Sequence, residues 1–306
     1  MQTILGANGQ IAIGLAKELK QKYTSDIRLV SRHPKQVNES DELFPADLMD
    51  AAKTAEAVKG SAVAYFTVGL PLDSKTWELQ FPQIMRNTID ACQQHRTKLV
   101  FFDNTYMYPQ TGVPLTEDTL FDPAGPKGRV RANISKMLLA EMKAGNIEAV
   151  ICRAPEFYGP DRTFSYTNTL VFDRIKKGQP ARVLLRDDTK RTLIWSVDAS
   201  RATALIGNTA DAFHQTWHLP CDDDRLTYRE IMDLASVIKG EQLTYKILSR
   251  STLKFAGIFK KLVREMQELL QRYEHDNIFL SDKFKRRFPE FEVTTYKDGI
   301  ERMLTK

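Results

Sequence analysis

The fold is decided at the amino terminus, by the stretch Thr3-Ile4-Leu5-Gly6-Ala7-Asn8-Gly9-Gln10-Ile11-Ala12. A short apolar strand leads into the spacing Gly6-x-x-Gly9-x-x-Ala12, and a helical pattern of apolar residues follows. Gly6 can take a tight turn because it has no Cβ, Gly9 leaves room for a ligand beside the backbone, and the small Ala12 lets the helix pack closely on the strand. This order predicts a site for the pyrophosphate of a dinucleotide at the helix N-terminus.

The same turn also has a simpler interpretation, as a strand–helix connection that contains glycines and binds nothing. A suitable second strand follows the helix, which favours the nucleotide site. On that interpretation the cofactor contacts come from the turn and the first helical residues, namely Gly6, Asn8, Gly9, Gln10 and Ile11.

Composition bounds the class of protein. With 306 residues and a net charge of +5, the chain suits one large α/β domain or two unequal ones. Its densest basic cluster, Lys283–Arg287, is expected to be a solvated helix face rather than a nucleic-acid site. The apolar runs are too short to span a membrane and the chain begins directly with a strand, so we expect neither a membrane partner nor a signal peptide.

Cysteine and histidine usage argues against disulfides and metals. The three cysteines are widely spaced and form no C-x-x-C motif, which predicts a reducing compartment and a cytoplasmic location. His214-x-x-x-His218 has a metal-like spacing, but it lies in a predicted strand, where two imidazoles would not stack as on a helix. We therefore expect no metal site.

Strands and helices alternate along the first half of the chain. Helical patterns near 11–22, 50–58, 77–95 and 129–144 follow the strand candidates Thr3–Leu5, Ile27–Ser31, Ala62–Val68, Leu99–Phe102 and Ala149–Arg153. The alternation predicts an α/β fold with a Rossmann-type, doubly wound parallel sheet. We expect a dinucleotide-binding domain over 1–155 and a smaller substrate-binding lobe over 156–306, interleaved with the last strands of the sheet.

The smaller lobe is expected to carry two helices, near 227–239 and 251–273. Apolar residues recur at near-helical spacing along the second helix, from Phe255 to Leu269. We expect this apolar stripe to form core or lid rather than a membrane anchor.

The end of the second strand indicates which dinucleotide is bound. An acidic residue here would bond the ribose 2′-hydroxyl of NAD, whereas Ser31 and Arg32 suit the 2′-phosphate of NADP. We expect NADP, with NAD as second choice; Arg32 could instead stack on the adenine. Asp47 and Leu48, after the third strand, could contact the adenine, although Asp47 could equally be a helix cap.

Motifs spread over nearly the whole length show a resemblance. The chain resembles the short-chain dehydrogenase/reductase superfamily, in its extended or atypical branch, the NAD-dependent epimerase/dehydratase family. The resemblance rests on the glycine turn and on the segments Ala46-Asp47-Leu48, Thr67-Val68-Gly69-Leu70, Val100–Tyr108, Ser135–Glu141, Arg153–Pro160 and Ser196-Val197-Asp198. It implies cofactor contacts from Thr67, Val68, Pro155 and Phe157.

The chain departs from this family at its catalytic dyad. Active members carry a Tyr four residues before a helix Lys, and the Lys tunes the Tyr and holds the nicotinamide ribose. Lys136 matches the Lys, but position 132 is Ala, and the family's Ser or Thr aligns with Asp103 or Asn104. Either another hydroxyl replaces the Tyr, or no proton transfer is needed, or the protein only binds its cofactor.

The favoured catalytic set is Tyr106 for proton exchange, Asn104 or Thr105 to polarise a substrate carbonyl, and Lys136 on the ribose. Tyr106 follows the fifth strand, at the sheet edge where such folds bind ligands. The alternative interpretation of Tyr106 is that it is a half-buried loop tyrosine that packs over the cleft. The alternative interpretation of Lys136 is that it is a solvated lysine on a helix surface.

Two functions remain open at this point. One is an NAD(P)-dependent oxidoreductase or epimerase/dehydratase-like enzyme that acts by hydride transfer on a small, sugar-like carbonyl or hydroxyl substrate. The other is a redox sensor or regulator that binds the dinucleotide without turnover, which Ala132 supports. The resemblance also allows a homodimer through the helices near 77–95 and 129–144, whose outer faces are charged.

Overall fold

The structure is a computed structural model that describes residues 1–160 and 165–305. Its strands are β1 (Gln2–Leu5), β2 (Ile27–Ser31), β3 (Glu42–Pro45), β4 (Val63–Phe66), β5 (Lys98–Asp103), β6 (Ala149–Arg153), β7 (Glu156–Tyr158), β8 (Ala181–Leu184), β9 (Lys190–Arg191), β10 (Leu193–Trp195), β11 (Thr216–His218), β12 (Leu226–Thr227) and β13 (Tyr245–Leu248). Its α-helices are α1 (Gln10–Lys22), α2 (Ala51–Val58), α3 (Ser74–His95), α4 (Pro126–Lys143), α5 (Asp173–Lys176), α6 (Ser196–Gly207), α7 (Tyr228–Lys239), α8 (Arg250–Phe259), α9 (Lys261–Glu265), α10 (Asp282–Arg287) and α11 (Tyr296–Leu304). A π-helical turn lies at Asn168–Phe172, and 3₁₀ turns lie at Ala210–Ala212 and Gln267–Tyr273.

Seven strands form one parallel sheet in the order β11-β6-β5-β4-β1-β2-β3. β1 pairs with β2 on one side and β4 on the other, so that Leu5 lies between Val30 and Phe66. The winding of the chain reverses at β1, and such a switch point leaves a crevice at the carboxyl ends of the strands. The predicted Rossmann-type, doubly wound sheet is confirmed.

Apolar cores cover both faces of the sheet. On one face α1 and α6 pack together over β1, and on the other α2, α3 and α4 pack over β4 and β5. The central strands are buried on both sides, which explains why β4 is entirely apolar (Val63–Phe66). This burial fixes the strand ends, and hence the crevice, in place.

The second half of the chain builds a smaller lobe but also returns to the sheet. β11 pairs with β6 and extends the central sheet, while the strand pairs β7–β10, β8–β13 and β9–β12 belong to the lobe. A separate apolar core, which includes Phe172, Ile231 and Ile300, holds the lobe together. The carboxyl edge of the sheet therefore meets residues of the lobe, as where the Arg272 guanidinium lies over the Tyr106 ring, and we call this junction the cleft.

The single helix expected over 251–273 is wrong. α8 ends at Phe259 because Lys260 adopts an extended backbone, and α9 then folds back against α8. Close approach is allowed at Gly257, where an added Cβ would lie 3.4 Å from the Arg264 Cα. Within the described residues, none of the helices is long and apolar enough to cross a bilayer.

Candidate functional site

The glycine turn after β1 has the geometry expected of an anion site. Gly6 has a φ of +91°, and a Cβ there would lie 2.7 Å from the Val68 Cα, so the turn packs against the end of β4. Gly9 is the N-cap residue of α1, so no side chain there accepts from the first N–H groups of the helix. The first turn of α1 carries no acidic residue either. Among the described residues, a Cβ at Gly9 would meet only the Gly6 carbonyl oxygen, at 3.8 Å, so none of them fills the space beside the helix N-terminus. The residues present therefore fit a pyrophosphate.

Two polar side chains fix this turn to its surroundings. Asn8 donates from Nδ2 to the His33 carbonyl at 2.8 Å and accepts from the Lys35 N–H. Gln10 donates to the Pro160 carbonyl and to Ser196 Oγ. Asn8 thus joins the turn to the loop after β2, and Gln10 joins it to the start of α6. Ile11, also predicted to contact the cofactor, is in the first turn of α1, and its side chain is buried in the apolar core.

The loop after β2 is cationic. Arg32 and Lys35 are exposed, and neither forms an ion pair within residues 1–160 or 165–305. The Ser31 hydroxyl is buried and has no hydrogen-bond partner in the part of the chain that the structure describes. A free donor beside exposed cations suits a phosphate better than the hydroxyl of a ribose.

Asp47 and Leu48 follow β3 at the same sheet edge. Asp47 is exposed, and from the described residues its carboxylate accepts only the Met49 N–H, 3.0 Å away. The expectation that Asp47 could cap the next helix is wrong, because α2 begins at Ala51 and Asp50 caps it through the Lys53 N–H. Leu48 is buried, and its carbonyl accepts from Asn87 Nδ2. The Asp47 carboxylate is left free for a ligand.

The other wall of the crevice comes from β4 and β6. Thr67 donates from Oγ1 to the Leu5 carbonyl at 3.0 Å, and Val68 contacts Gly6, as described above. Pro155 is buried just after β6, and Phe157 is half-buried in the middle of β7. Thr67, Val68 and Pro155 thus follow strands at the sheet edge where the glycine turn also lies, whereas Phe157 belongs to a strand of the lobe.

Asp103 ends β5 in a buried charge cluster. Its carboxylate pairs with Arg131 at 3.0 Å and with Arg153 at 3.3 Å, and it accepts from Ser135 Oγ at 2.8 Å. Burial lowers the pKa of the Arg131 guanidinium, while Asp103 opposes that shift. The guanidinium of Arg131 also lies over aromatic rings, those of Trp77, Phe81 and Phe101. Two guanidinium groups therefore share one carboxylate in a buried cluster at the carboxyl end of β5.

Three of the four predicted catalytic residues lie together on the loop after β5. Asn104 accepts at Oδ1 from the Tyr106 N–H at 2.9 Å, and Thr105 is buried beside it. The Tyr106 ring stacks on Trp77, and the Arg272 guanidinium lies 4.9 Å from its centre. Burial raises the pKa of the Tyr106 hydroxyl, and Arg272 opposes part of the rise. At neutral pH this hydroxyl is therefore protonated.

Lys136 does not join this group. α4 begins at Pro126, at the carboxyl edge of the sheet, and Lys136 lies roughly ten residues further on, about 15 Å along the helix axis. Its side chain is exposed. The residues of α4 that face the cleft at four-residue spacing are Lys127 and Arg131, both buried. Lys127 and Arg131 have the spacing of the Tyr-x-x-x-Lys dyad. This spacing is the sequence signal that could have identified them, and it was overlooked when the motif was matched to Lys136.

Lys127 closes one end of the cleft. Its Nζ donates to Ser74 Oγ at 2.9 Å and pairs with Glu265 at 2.8 Å and with Glu268. Burial alone would raise the pKa of Glu265, but hydrogen bonds from Lys127 and Ser74 outweigh it, and the pKa lies below its usual value. These bonds hold α9 and the following 3₁₀ turn across the start of α4.

The lobe adds polar groups that sequence reasoning missed. Glu156, at the start of β7, accepts from Thr167 Oγ1 at 2.7 Å and from the Tyr273 hydroxyl at 2.8 Å. The Tyr166 hydroxyl is buried without a hydrogen-bond partner among the described residues, and burial raises its pKa, with smaller contributions from Tyr106 and Glu156. These residues come from distant parts of the sequence, and no local motif marks them.

The two histidines of the metal-like spacing do not converge. His218 is buried, with Nδ1 2.8 Å from the Leu280 carbonyl and Nε2 2.8 Å from the Tyr108 hydroxyl, whereas His214 is exposed and lies outside β11. Within residues 1–160 and 165–305, no group of three His, Cys, Asp or Glu side chains could hold a metal ion.

The sheet, its switch point and the open helix N-terminus define the class of Rossmann-type α/β proteins whose glycine turn suits a dinucleotide. A family model, the NAD dependent epimerase/dehydratase family, matches residues 3–218. The chain belongs to this family, which confirms the resemblance seen in its motifs.

Among curated proteins, the chain is 24% identical over 253 residues to the uncharacterized protein y4nL of Sinorhizobium fredii, a match that covers 74% of this chain and 70% of that protein. Among solved structures, UDP-glucuronic acid 4-epimerase from Bacillus cereus, in complex with UDP-glucuronic acid and NAD, superposes with a TM-score of 0.80 at 15% identity and coverage of 100% and 98%. UDP-glucose 4-epimerase from Thermus thermophilus, in complex with NAD, gives a TM-score of 0.77 at 15% identity and the same coverage. At these identities the likeness to the solved structures shows the fold.

Proposed function

We propose that the protein is an NADP(H)-dependent enzyme that transfers hydride to or from a small, sugar-like carbonyl or hydroxyl substrate. The observation that carries the proposal is the uncapped N-terminus of α1, which opens onto the same sheet edge as the hydroxyl of Tyr106. Cofactor and substrate positions would thus adjoin. Membership of the epimerase/dehydratase family supports the reaction class.

The cofactor site would be built from the turn and the two strand ends beside it. The N–H groups at the start of α1 would bind the pyrophosphate, and Arg32 with Ser31 would bind the 2′-phosphate. Asp47 would accept from the adenine amino group. Thr67, Val68, Pro155 and Phe157 would line the nicotinamide end and exclude water from it. When bound, the nicotinamide supplies the hydride chemistry.

Proton exchange would fall to the residues after β5. The raised pKa of Tyr106 keeps its hydroxyl protonated at neutral pH, which suits a donor to a substrate oxygen. Asn104 directs its amide oxygen to the Tyr106 N–H, so its NH₂ group is left to donate to a substrate carbonyl, and the Thr105 hydroxyl would assist. Lys136 has no part in this proposal, because the structure places it on the exposed side of α4.

The test is calorimetric titration with NADPH and NADH in parallel, on the wild type and on Arg32→Ala. We expect tighter binding of NADPH, and a loss of that preference in the variant, because a charge-assisted contact to phosphate is removed. A matched control is Arg182→Ala, another exposed arginine, far along the chain on β8. Failure to bind either dinucleotide would remove the basis of the proposal.

A substrate screen follows from the structural neighbours. UDP-glucuronic acid and UDP-glucose, together with simple sugar aldehydes, are the first compounds to mix with the loaded protein, with nicotinamide absorbance as the signal. The second candidate function, a dinucleotide-binding sensor, is favoured by one observation. Lys127 and Arg131, which have the spacing of the dyad, are both engaged in ion pairs. Tight cofactor binding without turnover of any compound would select this second function.

A further inference from the structure

The hairpin formed by α8 and α9 ends in an exposed apolar surface. Phe255, Ile258 and Phe259 are 67%, 66% and 74% exposed, and Leu262, just beyond the break at Lys260, is 61% exposed. The rings of Phe255 and Phe259 lie 5.5 Å apart, centre to centre. We call these four residues the α8–α9 tip. Large apolar side chains grouped in this way on a surface mark an interaction site.

The packing of the hairpin does not account for the tip. The buried side of α8 carries Leu253 and Gly257, and it is this side that meets the lobe core and α9. Polar contacts hold the hairpin to the rest of the molecule: Lys261, beside the turn between the two helices, pairs with Asp73, and Glu265, at the end of α9, pairs with Lys127. The exposed apolar side chains of the tip are therefore held in place on the surface.

The charge around the tip indicates what it contacts. Residues 250–264 include five basic side chains and no acidic one. Arg250 and Lys261 pair with Glu274 and Asp73, whereas Lys254, Lys260 and Arg264 are exposed and form no ion pair within the described part of the chain. Apolar side chains with unpaired cations in the same segment are complementary to a bilayer surface. The acyl interior of the bilayer takes up apolar side chains, and the anionic headgroups above it attract cations.

A second copy of the chain fits this surface poorly. In a symmetric contact between two tips the same cations would face one another, and like charges at close range disfavour that arrangement. We propose that the α8–α9 tip binds the protein peripherally to an anionic lipid surface. Glu265 of α9 pairs with Lys127 in the first turn of α4, so the start of α4 would sit close to that surface. The proposal does not depend on the proposed function. It reverses the expectations from the sequence that the chain has no membrane partner and that this apolar stripe is not a membrane anchor.

The experiment is sedimentation of the full chain with vesicles of phosphatidylcholine, alone or mixed with phosphatidylglycerol. We expect binding to the mixed vesicles, weakened by added salt, and no binding to phosphatidylcholine alone, because both the apolar and the ionic contributions are needed. The double variant Phe255→Ser/Phe259→Ser is expected to lower the partition coefficient roughly tenfold or more. The matched control, Leu120→Ser/Val237→Ser, alters two apolar residues elsewhere that are even more exposed, and it is expected to bind as the wild type does.

A second readout reports depth of insertion. In Phe259→Trp the indole emission is expected to shift to the blue on the mixed vesicles and to be quenched by brominated acyl chains. Absence of binding to the mixed vesicles, or binding that the Phe255→Ser/Phe259→Ser variant leaves unchanged, would overturn the proposal. It is also overturned if sedimentation velocity without lipid shows self-association that the same variant abolishes, since the tip would then be an interface between copies.

Discussion

Asp103 determines which groups near the end of β5 can exchange a proton. The family resemblance places a Ser or Thr hydroxyl at Asp103 or Asn104, but the Asp103 carboxylate is buried between the guanidinium groups of Arg131 and Arg153. Both oxygens of this carboxylate are occupied as acceptors, and Asp103 supplies no hydroxyl of the kind that the family's Ser or Thr carries. The donor must come from a hydroxyl elsewhere in the cleft, and Tyr106 lies on the same loop.

Replacement of Tyr106 by Phe tests this role. If its hydroxyl exchanges the proton, Tyr106→Phe lowers kcat by about 10²–10⁴-fold, the usual contribution of general acid–base catalysis, and leaves NADPH affinity unchanged. The measurement is steady-state turnover of an active substrate together with calorimetric titration of NADPH. Tyr245→Phe, a control whose hydroxyl bonds Asp187 outside the cleft, is expected to keep full turnover. Unchanged turnover in Tyr106→Phe, with a loss in Tyr166→Phe, would transfer the role to Tyr166.

His218 lies in a buried polar network. The Leu280 carbonyl can only accept, so Nδ1 of His218 donates to it and Nε2 accepts from the Tyr108 hydroxyl. Burial lowers the pKa of His218 to about 3 from an ordinary value of 6.5. Between these two pH values the unfolded chain binds a proton that the folded chain does not. The stabilisation is therefore fully present above pH 6.5 and declines as the pH falls toward 3.

We expect His218 to make the free energy of unfolding fall by about 1.4 kcal/mol per pH unit below its unfolded pKa. Urea unfolding at pH 7 and at pH 5 measures this, and the His218→Gln variant is expected to lose that part of the pH dependence, whatever its stability at pH 7. The exposed His214 provides the control, since His214→Gln is expected to keep the wild-type slope. An equal slope in wild type and His218→Gln would contradict the assignment.

At the scale of elements, Lys127 joins three separate segments. It lies in the first turn of α4, and its ammonium group contacts Ser74 at the start of α3 as well as Glu265 and Glu268 beyond α8. Lys127 is fully buried, so its removal would leave two carboxylates facing each other in a largely dry site. We expect Lys127→Met to lower the free energy of unfolding by about 3–5 kcal/mol, the usual cost of breaking a buried ion pair from one side.

Urea unfolding of Lys127→Met is best compared with Lys53→Met. Lys53 pairs with Glu56 on the surface of α2, where both side chains are more than half exposed and water screens the pair, so this control is expected to leave the free energy of unfolding almost unchanged. Hydrogen exchange gives the second readout. Amides of 261–273 are expected to exchange faster in Lys127→Met, because those residues are held through the ion pairs. A loss as small as that of Lys53→Met would show that the cluster does not hold the segment.

Patterns within single elements predicted most of the fold. The apolar strands, the glycine turn and the helices after them depend on local spacing, so β1, β2 and α1 lie where the sequence predicted them, whereas α6 was not predicted. The break at Lys260 was not predictable in this way, because the apolar spacing runs through it and the cause is packing of α9 on α8. Because α4 begins at Pro126, Lys127 lies at the cleft and Lys136 lies far along the helix. The motif match to Lys136 did not take the position of this helix start into account.

The site was predicted in part for the same reason. Gly6, Gly9, Asn104 and Tyr106 follow strands directly, and parallel strands bring their carboxyl ends to one edge. Glu156, Tyr166 and Arg272 reach the cleft through the lobe, whose arrangement depends on contacts between residues far apart in sequence. Pairing of Asp103 with Arg131 likewise needs the angle of α4 on the sheet, which sequence spacing does not give.

At the scale of the whole molecule, the two halves of the chain are interleaved. β11, from the second half, completes the central sheet beside β6, and α6 packs against α1. Gln10 bonds both Pro160 and Ser196, which ties the glycine turn to lobe residues. One apolar core, which includes Ile11 and Trp217, takes residues from both halves, so we expect the chain to unfold as one cooperative unit.

This coupling predicts how the cofactor acts on stability. NADPH at about 100 times its Kd is expected to add about 2.7 kcal/mol to the free energy of unfolding by mass action, which shifts Tm by several degrees. Scanning calorimetry should show a single transition that moves as a whole. Gly9→Asp is the matched control: Asp is a good N-cap at the extended backbone of Gly9, so the variant should fold, but its carboxylate would repel a pyrophosphate. Its Tm should not respond to NADPH. Two separate transitions, of which NADPH moves only one, would instead mean that the halves unfold independently and that the shared sheet and the α1–α6 contact are weaker than their burial indicates.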